Sequence, residues 1–229
     1  MKFMTLSEVK GSFSIERLHE AQLLLSKKVI LEDMLPTKIR YIAGVDVAYG
    51  RNDWAIGAVA VMDYDSLNLV EVQTAWRKVT FPYIPTLLAF REVPPAVLCY
   101  KKLRSQPDVL LVDGHGRAHP YRCGFASHLG VVLGKPTIGV AKSRLIGEVE
   151  NFEGDFAYLK HNGEIIGAVV RILPARKPVY VSVGHMVSLE TALRIVKHCT
   201  KYSNSPEPLR KAHQIASKEK RKNQTSFKF

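Results

Sequence analysis

Three cysteines in 229 residues, at positions 99, 123 and 199, are odd in number and widely spaced, so they do not make a disulfide framework. None belongs to a Cys-x-x-Cys pair of the kind that holds structural zinc. No stretch approaches the roughly 18 uninterrupted apolar residues of a membrane span, and the opening MKFMTLSEVKGSFSIERLHE lacks the apolar core of a signal peptide. Internal repeats and low-complexity segments are absent as well. These absences lead to the expectation of a soluble, cytoplasmic protein with reduced, buried cysteines and no membrane partner. Acidic residues are also scarce: 21 against 33 lysines and arginines leave a formal charge of +12. That surplus asks for a polyanion, either nucleic acid or an anionic surface, without choosing between them.

What is present suffices for one substantial core, since 46% of the residues are hydrophobic. The expectation is a single domain over residues 1–229. Ser14 can cap a helix that places Ile15, Leu18, Ala21, Leu25 and Val29 near one face. IRYIAGVDVAYG, WAIGAVAVMDY and LVEVQTAWRKVT read as a three-stranded meander, broken by the turn sequences GRND and DSLN. Four prolines in FPYIPTLLAFREVPP precede a helix expected from Ala96 to Leu103. DVLLVDG reads as a strand buried on both faces. A helix over Phe125 to Leu133 and the strand TIGVA complete a unit of parallel type. EIIGAVVRIL and PVYVSVGH add strands, Ser188 can cap a helix over LETALRIVKHC, and Ser205 with Pro206 can start another. A basic, flexible tail is expected from about Lys218. The order implies an α/β fold, a mixed sheet with helices on both faces, as in ribonuclease H-like nucleases.

Two carboxylates stand out because they interrupt apolar strands. Asp46 in YIAGVDVAYG and Asp113 at the end of VLLVDG each need a cation or a hydrogen-bond network if buried. On neighbouring strands they could share Mg²⁺ or Mn²⁺, which oxygen ligands suit. Taken singly, either also fits a strand-end cap or turn former. Glu92, beside Arg91, taken alone fits a solvated or salt-bridged residue better than a site residue. His115 and His119 after Asp113 suggest zinc only weakly and fit loop architecture, where Gly114 and Gly116 permit tight backbone geometry. Lys142 can pair with a phosphate or be an ordinary exposed lysine. Pro82, Tyr83, Ile84 and Pro85 form a stiff loop that fits an apolar wedge between bases, or a cover over the core.

Together GVDVAY, FPYIPTLLAFRE, VDGHGRAHPYRCGFASHLG, GVAKS, VSVGH and PLRKAH resemble, in order, the motifs of the endonuclease V family. The resemblance implies a ribonuclease H-like fold and Mg²⁺-dependent cleavage of DNA at the second phosphodiester bond 3′ to deoxyinosine, leaving a 3′-hydroxyl and a 5′-phosphate. It makes Asp46, Glu92 and Asp113 the metal-binding carboxylates, with Lys142 and His213 as further catalytic residues. Pro82 to Pro85 become the strand-separating wedge, and Leu88, Gly114 and Phe125 the base pocket. Thr86 departs from the glycine that members usually carry after PYIP. Inosine in RNA is the closest alternative substrate, a non-catalytic nucleic-acid-binding module the alternative of another class, and a monomer the default.

Overall fold

The computed structural model describes residues 14–172, 177–201 and 203–225. β1 (Tyr41–Tyr49), β2 (Trp54–Asp63) and β3 (Leu69–Lys78) form the antiparallel meander that the two turn sequences imply. Asn52 and Asp53 take positive φ, 54° and 60°, in the first of these turns. Short polar side chains tolerate that region better than most.

β4 (Val109–Asp113) adds parallel to β1, and β5 (Thr137–Ala141) adds parallel to β4. α3 (Phe125–Leu133) connects them, as the strand, helix, strand reading requires. Val109 to Val112 are all buried, so β4 is covered on both faces and reads as an unbroken apolar run. β6 (Glu148–Val149), β7 (Phe156–His161), β8 (Glu164–Val170) and β9 (Val179–His185) extend the sheet with antiparallel pairings. The order is β3-β2-β1-β4-β5-β9-β8-β7-β6. Its first five strands, with β2 antiparallel to both neighbours, make the ribonuclease H-like arrangement.

Alternation along the strands separates two cores. Ala43, Val45, Leu110 and Val112 face α2 (Ala89–Tyr100) and α3. Ile42, Val109 and Leu111 face α4 (Leu189–His198) and α5 (Glu207–Thr225). α1 (Ile15–Ser26) lies beside α3, with Ser14 accepting from the Arg17 amide at its start. Ser188 caps α4 in the same way through Thr191. Among the described residues no helix is long and apolar enough to cross a membrane.

Local signals mislead in four places. α2 starts at Ala89, not Ala96, and carries Pro94 and Pro95 inside it. Each proline removes an amide donor, but burial of Ala89, Val93, Ala96 and Cys99 holds the helix across both. α1 stops at Ser26, which leaves Val29 beyond its end. β6 and β7 escape the sequence reading, β6 because two residues carry no periodicity. The flexible tail expected from Lys218 is helical as far as Thr225, where lysine, glutamate and arginine favour a helix and Glu219 pairs with Lys222 at 2.6 Å. Residues 226–229 lie outside the described residues.

α5 can settle on β1 only because residue 44 has no side chain. A Cβ there would sit 2.0 Å from the Pro208 carbonyl oxygen. The close approach also brings α5 to the level of Asp46, two residues along the same face of β1. Gly44→Ala is expected to destabilise the protein by about 1–3 kcal/mol, measured by urea unfolding, because the helix backbone must move away. An unchanged midpoint would show that α5 is not seated by this contact.

Candidate active site

Asp46 and Asp113 are brought side by side by the strand register. β1 and β4 run parallel with Val45 beside Val112, so the two aspartates are the next residue on each strand. Asp46 is 7% exposed, while Asp113 at the strand end is half-buried. His213 arrives from α5, and its Nδ1 donates to Asp46 Oδ2 at 2.9 Å. The other oxygen of Asp46 accepts from the Val47 amide at 2.8 Å. Asp46, Asp113 and His213 each offer a ligand atom within 4.8 Å of the others, a spacing at which one metal ion can be held.

Glu92 does not join this closest group. It sits on the first turn of α2, 8% exposed, with its Oε1 accepting from the Tyr49 hydroxyl at 3.5 Å. Burial, and then the charges of Asp46 and Asp113, push its carboxyl well above the ordinary carboxylate range. Asp46 is raised for the same two reasons, burial first and Asp113 second, with His213 pulling the other way. The three carboxyl groups therefore hold more negative charge than this environment favours. Two cations meet part of it: the exposed Lys142, whose Nζ lies 2.7 Å from Asp113 Oδ2, and Arg91, which draws the Glu92 carboxyl back toward ionisation.

A cleft of about 320 Å³ opens beside these groups, and Glu92 and Asp113 form part of its wall. Leu88, Gly114 and Phe125 line it too, so the three residues expected around a base share one cavity with two of the carboxylates. Tyr83 and Pro85 stand at the same cleft, and Tyr83 is 65% exposed. Pro82 and Ile84 are half-buried.

Thr86, which follows the PYIP residues, has φ 71°. A β-branched side chain in the left-handed region costs roughly 1–2 kcal/mol relative to glycine. Hydrogen bonds offset the strain: His119 Nε2 donates to the Thr86 carbonyl at 2.9 Å, and His19 Nε2 lies 3.2 Å from its hydroxyl. His119 and His115 thus serve the loops. The second bonds the Ser143 carbonyl at 3.0 Å, and neither belongs to the group of Asp46, Asp113 and His213. Burial holds His119 down to about 4, so it is neutral at physiological pH.

Sequence reasoning missed several residues here. Ser143, Arg144 and Leu145 line the cleft just after Lys142, and nothing in their local pattern announces it. Tyr49, whose ring lies under the Arg91 guanidinium at 4.8 Å, supports Glu92 from the end of β1. Gln22 is wholly buried although it is polar. Its one signal is a place on the apolar face of α1, four residues after Leu18.

The crowded charge has a measurable consequence. A carboxyl raised on folding contributes stability that is full below its unfolded value, near about 4, and is lost as pH rises through the folded value. In chelator, Asp46→Asn is expected to melt above the wild type at pH 7, with the gap closing as pH falls toward 4. Added Mg²⁺ should raise the wild-type melting temperature more than the variant's. Equal melting at both pH values would contradict the electrostatic picture.

Comparison with known proteins agrees with this geometry. The family model described as Endonuclease V matches residues 24–214. An endonuclease V of Thermofilum pendens is 48% identical over 215 residues, covering 93% of this chain and 92% of its own. The crystal structure of endonuclease V from Streptomyces avermitilis superposes with a TM-score of 0.86 at 36% identity, covering 92% of this chain and 95% of that one. Endonuclease V of Ciona intestinalis, solved in complex with a 24mer DNA containing an inosine followed by a ribo-adenosine, gives 0.81 at 35% identity over 91% of this chain and 98% of its own. With the sheet order, the paired aspartates and these matches in agreement, the chain belongs to the endonuclease V family of nucleases.

Proposed function

We propose that this nuclease is a divalent-metal-dependent DNA repair enzyme that recognises deoxyinosine and hydrolyses the second phosphodiester bond on its 3′ side, leaving a 3′-hydroxyl and a 5′-phosphate. The observation that carries this reading is the single cleft shared by Tyr83, Leu88, Gly114 and Phe125 with Glu92 and Asp113. The inosine-containing DNA bound by the Ciona intestinalis relative supports the choice of base.

The donor set fits a hard cation: carboxylate oxygens with one imidazole, and negative charge in excess. Asp46, Asp113 and Glu92 would hold Mg²⁺, with Mn²⁺ as a substitute. When bound, the ion would polarise the phosphate and make an attacking water more acidic. His213, tied through Nδ1 to Asp46, keeps Nε2 for orienting the attacking water. Lys142 offers a positive charge at the mouth of the site, where a phosphate can take over from Asp113 as its partner.

Binding begins with the charge of +12, which draws the phosphate backbone without regard to sequence and weakens with salt. Tyr83, within the wedge of Pro82, Tyr83, Ile84 and Pro85, then enters the stack at the lesion. Hypoxanthine differs from adenine in its 6-oxo group and protonated N1. Backbone donors and acceptors around Gly114 can accept that edge and leave adenine's amino group unmatched. The ribo-adenosine in the Ciona intestinalis complex favours a second reading, an endoribonuclease specific for inosine on the same site.

End-labelled duplexes carrying deoxyinosine, riboinosine or neither, incubated with Mg²⁺ or with chelator, separate these readings. Metal-dependent nicking one bond past the 3′ neighbour of deoxyinosine is the expected result. Stronger cutting at riboinosine would move the substrate to RNA, and no nicking of either would overturn both. Asp46→Ala or Asp113→Ala should slow cleavage by roughly a thousandfold while lesion binding persists. Tyr83→Ala should weaken lesion binding and leave the metal-induced rise in melting temperature intact.

A further inference from the structure

Two of the segments that wall the cleft, the loop that carries Tyr83 to Leu88 and the loop from Gly114 to Gly124, are both gripped by α1. Gln22 uses its two amide protons on them: Nε2 donates to the Thr86 carbonyl at 2.8 Å and to the Cys123 carbonyl at 3.2 Å. One turn earlier His19 lies 3.2 Å from the Thr86 hydroxyl through Nε2, and its Nδ1 lies 3.0 Å from the Tyr121 hydroxyl. The His19 and Tyr121 rings stack with centroids 4.1 Å apart. Thr86 and Tyr121 belong to the two different loops, which His119 also joins through the Thr86 carbonyl, so this second link ties them from the side of α1.

Gln22 is 0% exposed and its Oε1 finds no hydrogen-bond partner. A buried amide with an unmatched acceptor is unfavourable by itself, and a leucine of similar size would fill the space without it. What only the amide supplies is a pair of donors reaching two separate loops. Thr86 requires that support more than a glycine would, because its backbone is held at φ 71°. Both helix residues precede residue 24, where the match to the family model begins.

We propose that His19 and Gln22 are positioning residues that fix the separation of the two walls in the free protein, and so set which base the cleft admits. This rests on the reading of the cleft as the inosine pocket. Neither residue touches the metal-binding group, and each acts through Thr86, Cys123 or Tyr121.

Gln22→Leu keeps the buried volume and removes both donors. Amide hydrogen exchange of the free variant should rise in residues 82–88 and 114–124 and stay unchanged in the strands. On DNA, the KM for deoxyinosine duplex should rise about tenfold and the preference over undamaged duplex fall by a similar factor, the worth of one or two hydrogen bonds. kcat at saturation should stay within about twofold, which separates a loosened pocket from a generally weakened fold. His19→Ala should do the same more mildly, and His19→Gln, which can still donate, should restore the wild-type preference. Faster exchange with unchanged KM and preference would overturn the proposal, as would exchange that does not change. A wild type with no preference for inosine would refute the functional reading instead, and the exchange result would then still decide whether α1 holds the walls.

Discussion

Negative charge confined where parallel strands end is the constraint around which this molecule is arranged. Asp46 and Asp113 sit on adjacent strands one residue past a paired position, and Glu92 approaches from a helix. Burial and mutual repulsion both oppose ionisation there. A sheet core would not tolerate the arrangement without compensation, and the compensating groups come from every side: an imidazole from α5, an ammonium from the end of β5, a phenol from the end of β1. Lys142 and His213 are exposed on one side, so the site stays open to solvent.

Close backbone packing is the means by which these groups arrive. Gly44 admits α5 to the sheet, and with it His213. On the opposite face Gly57 does the same for α2, where a Cβ would stand 2.7 Å from the Pro95 carbonyl. That contact explains why a helix carrying two prolines is retained: the flat approach of its backbone to β2 delivers Glu92. Stability and chemistry are thus served by the same two helix-on-sheet contacts.

The parts of this structure legible in the sequence are those in which local pattern and tertiary burial agree. The meander, the helix caps at Ser14 and Ser188, and β4 followed by α3 and β5 are of that kind. Asp46 and Asp113 could be read as well, since a carboxylate in an apolar strand contradicts its surroundings. Glu92, Lys142 and His213 could not, because each looks locally like a surface residue, and only resemblance to a family picked them out. Gln22 escaped both routes. Its meaning lies in carbonyls 64 and 101 residues away, and a backbone carbonyl leaves no trace in side-chain composition. The helix across Pro94 and Pro95 escaped for the opposite reason, a strong local signal outweighed by packing.

The pairing of Asp46 with His213 spans 167 residues, and eight of the nine strands, β2 to β9, lie between them in the chain. As the polypeptide leaves the ribosome, the sheet and its aspartates can form well before α5 emerges. The group of Asp46, Asp113 and His213 therefore comes together only when α5 docks on the sheet, a closure across most of the chain.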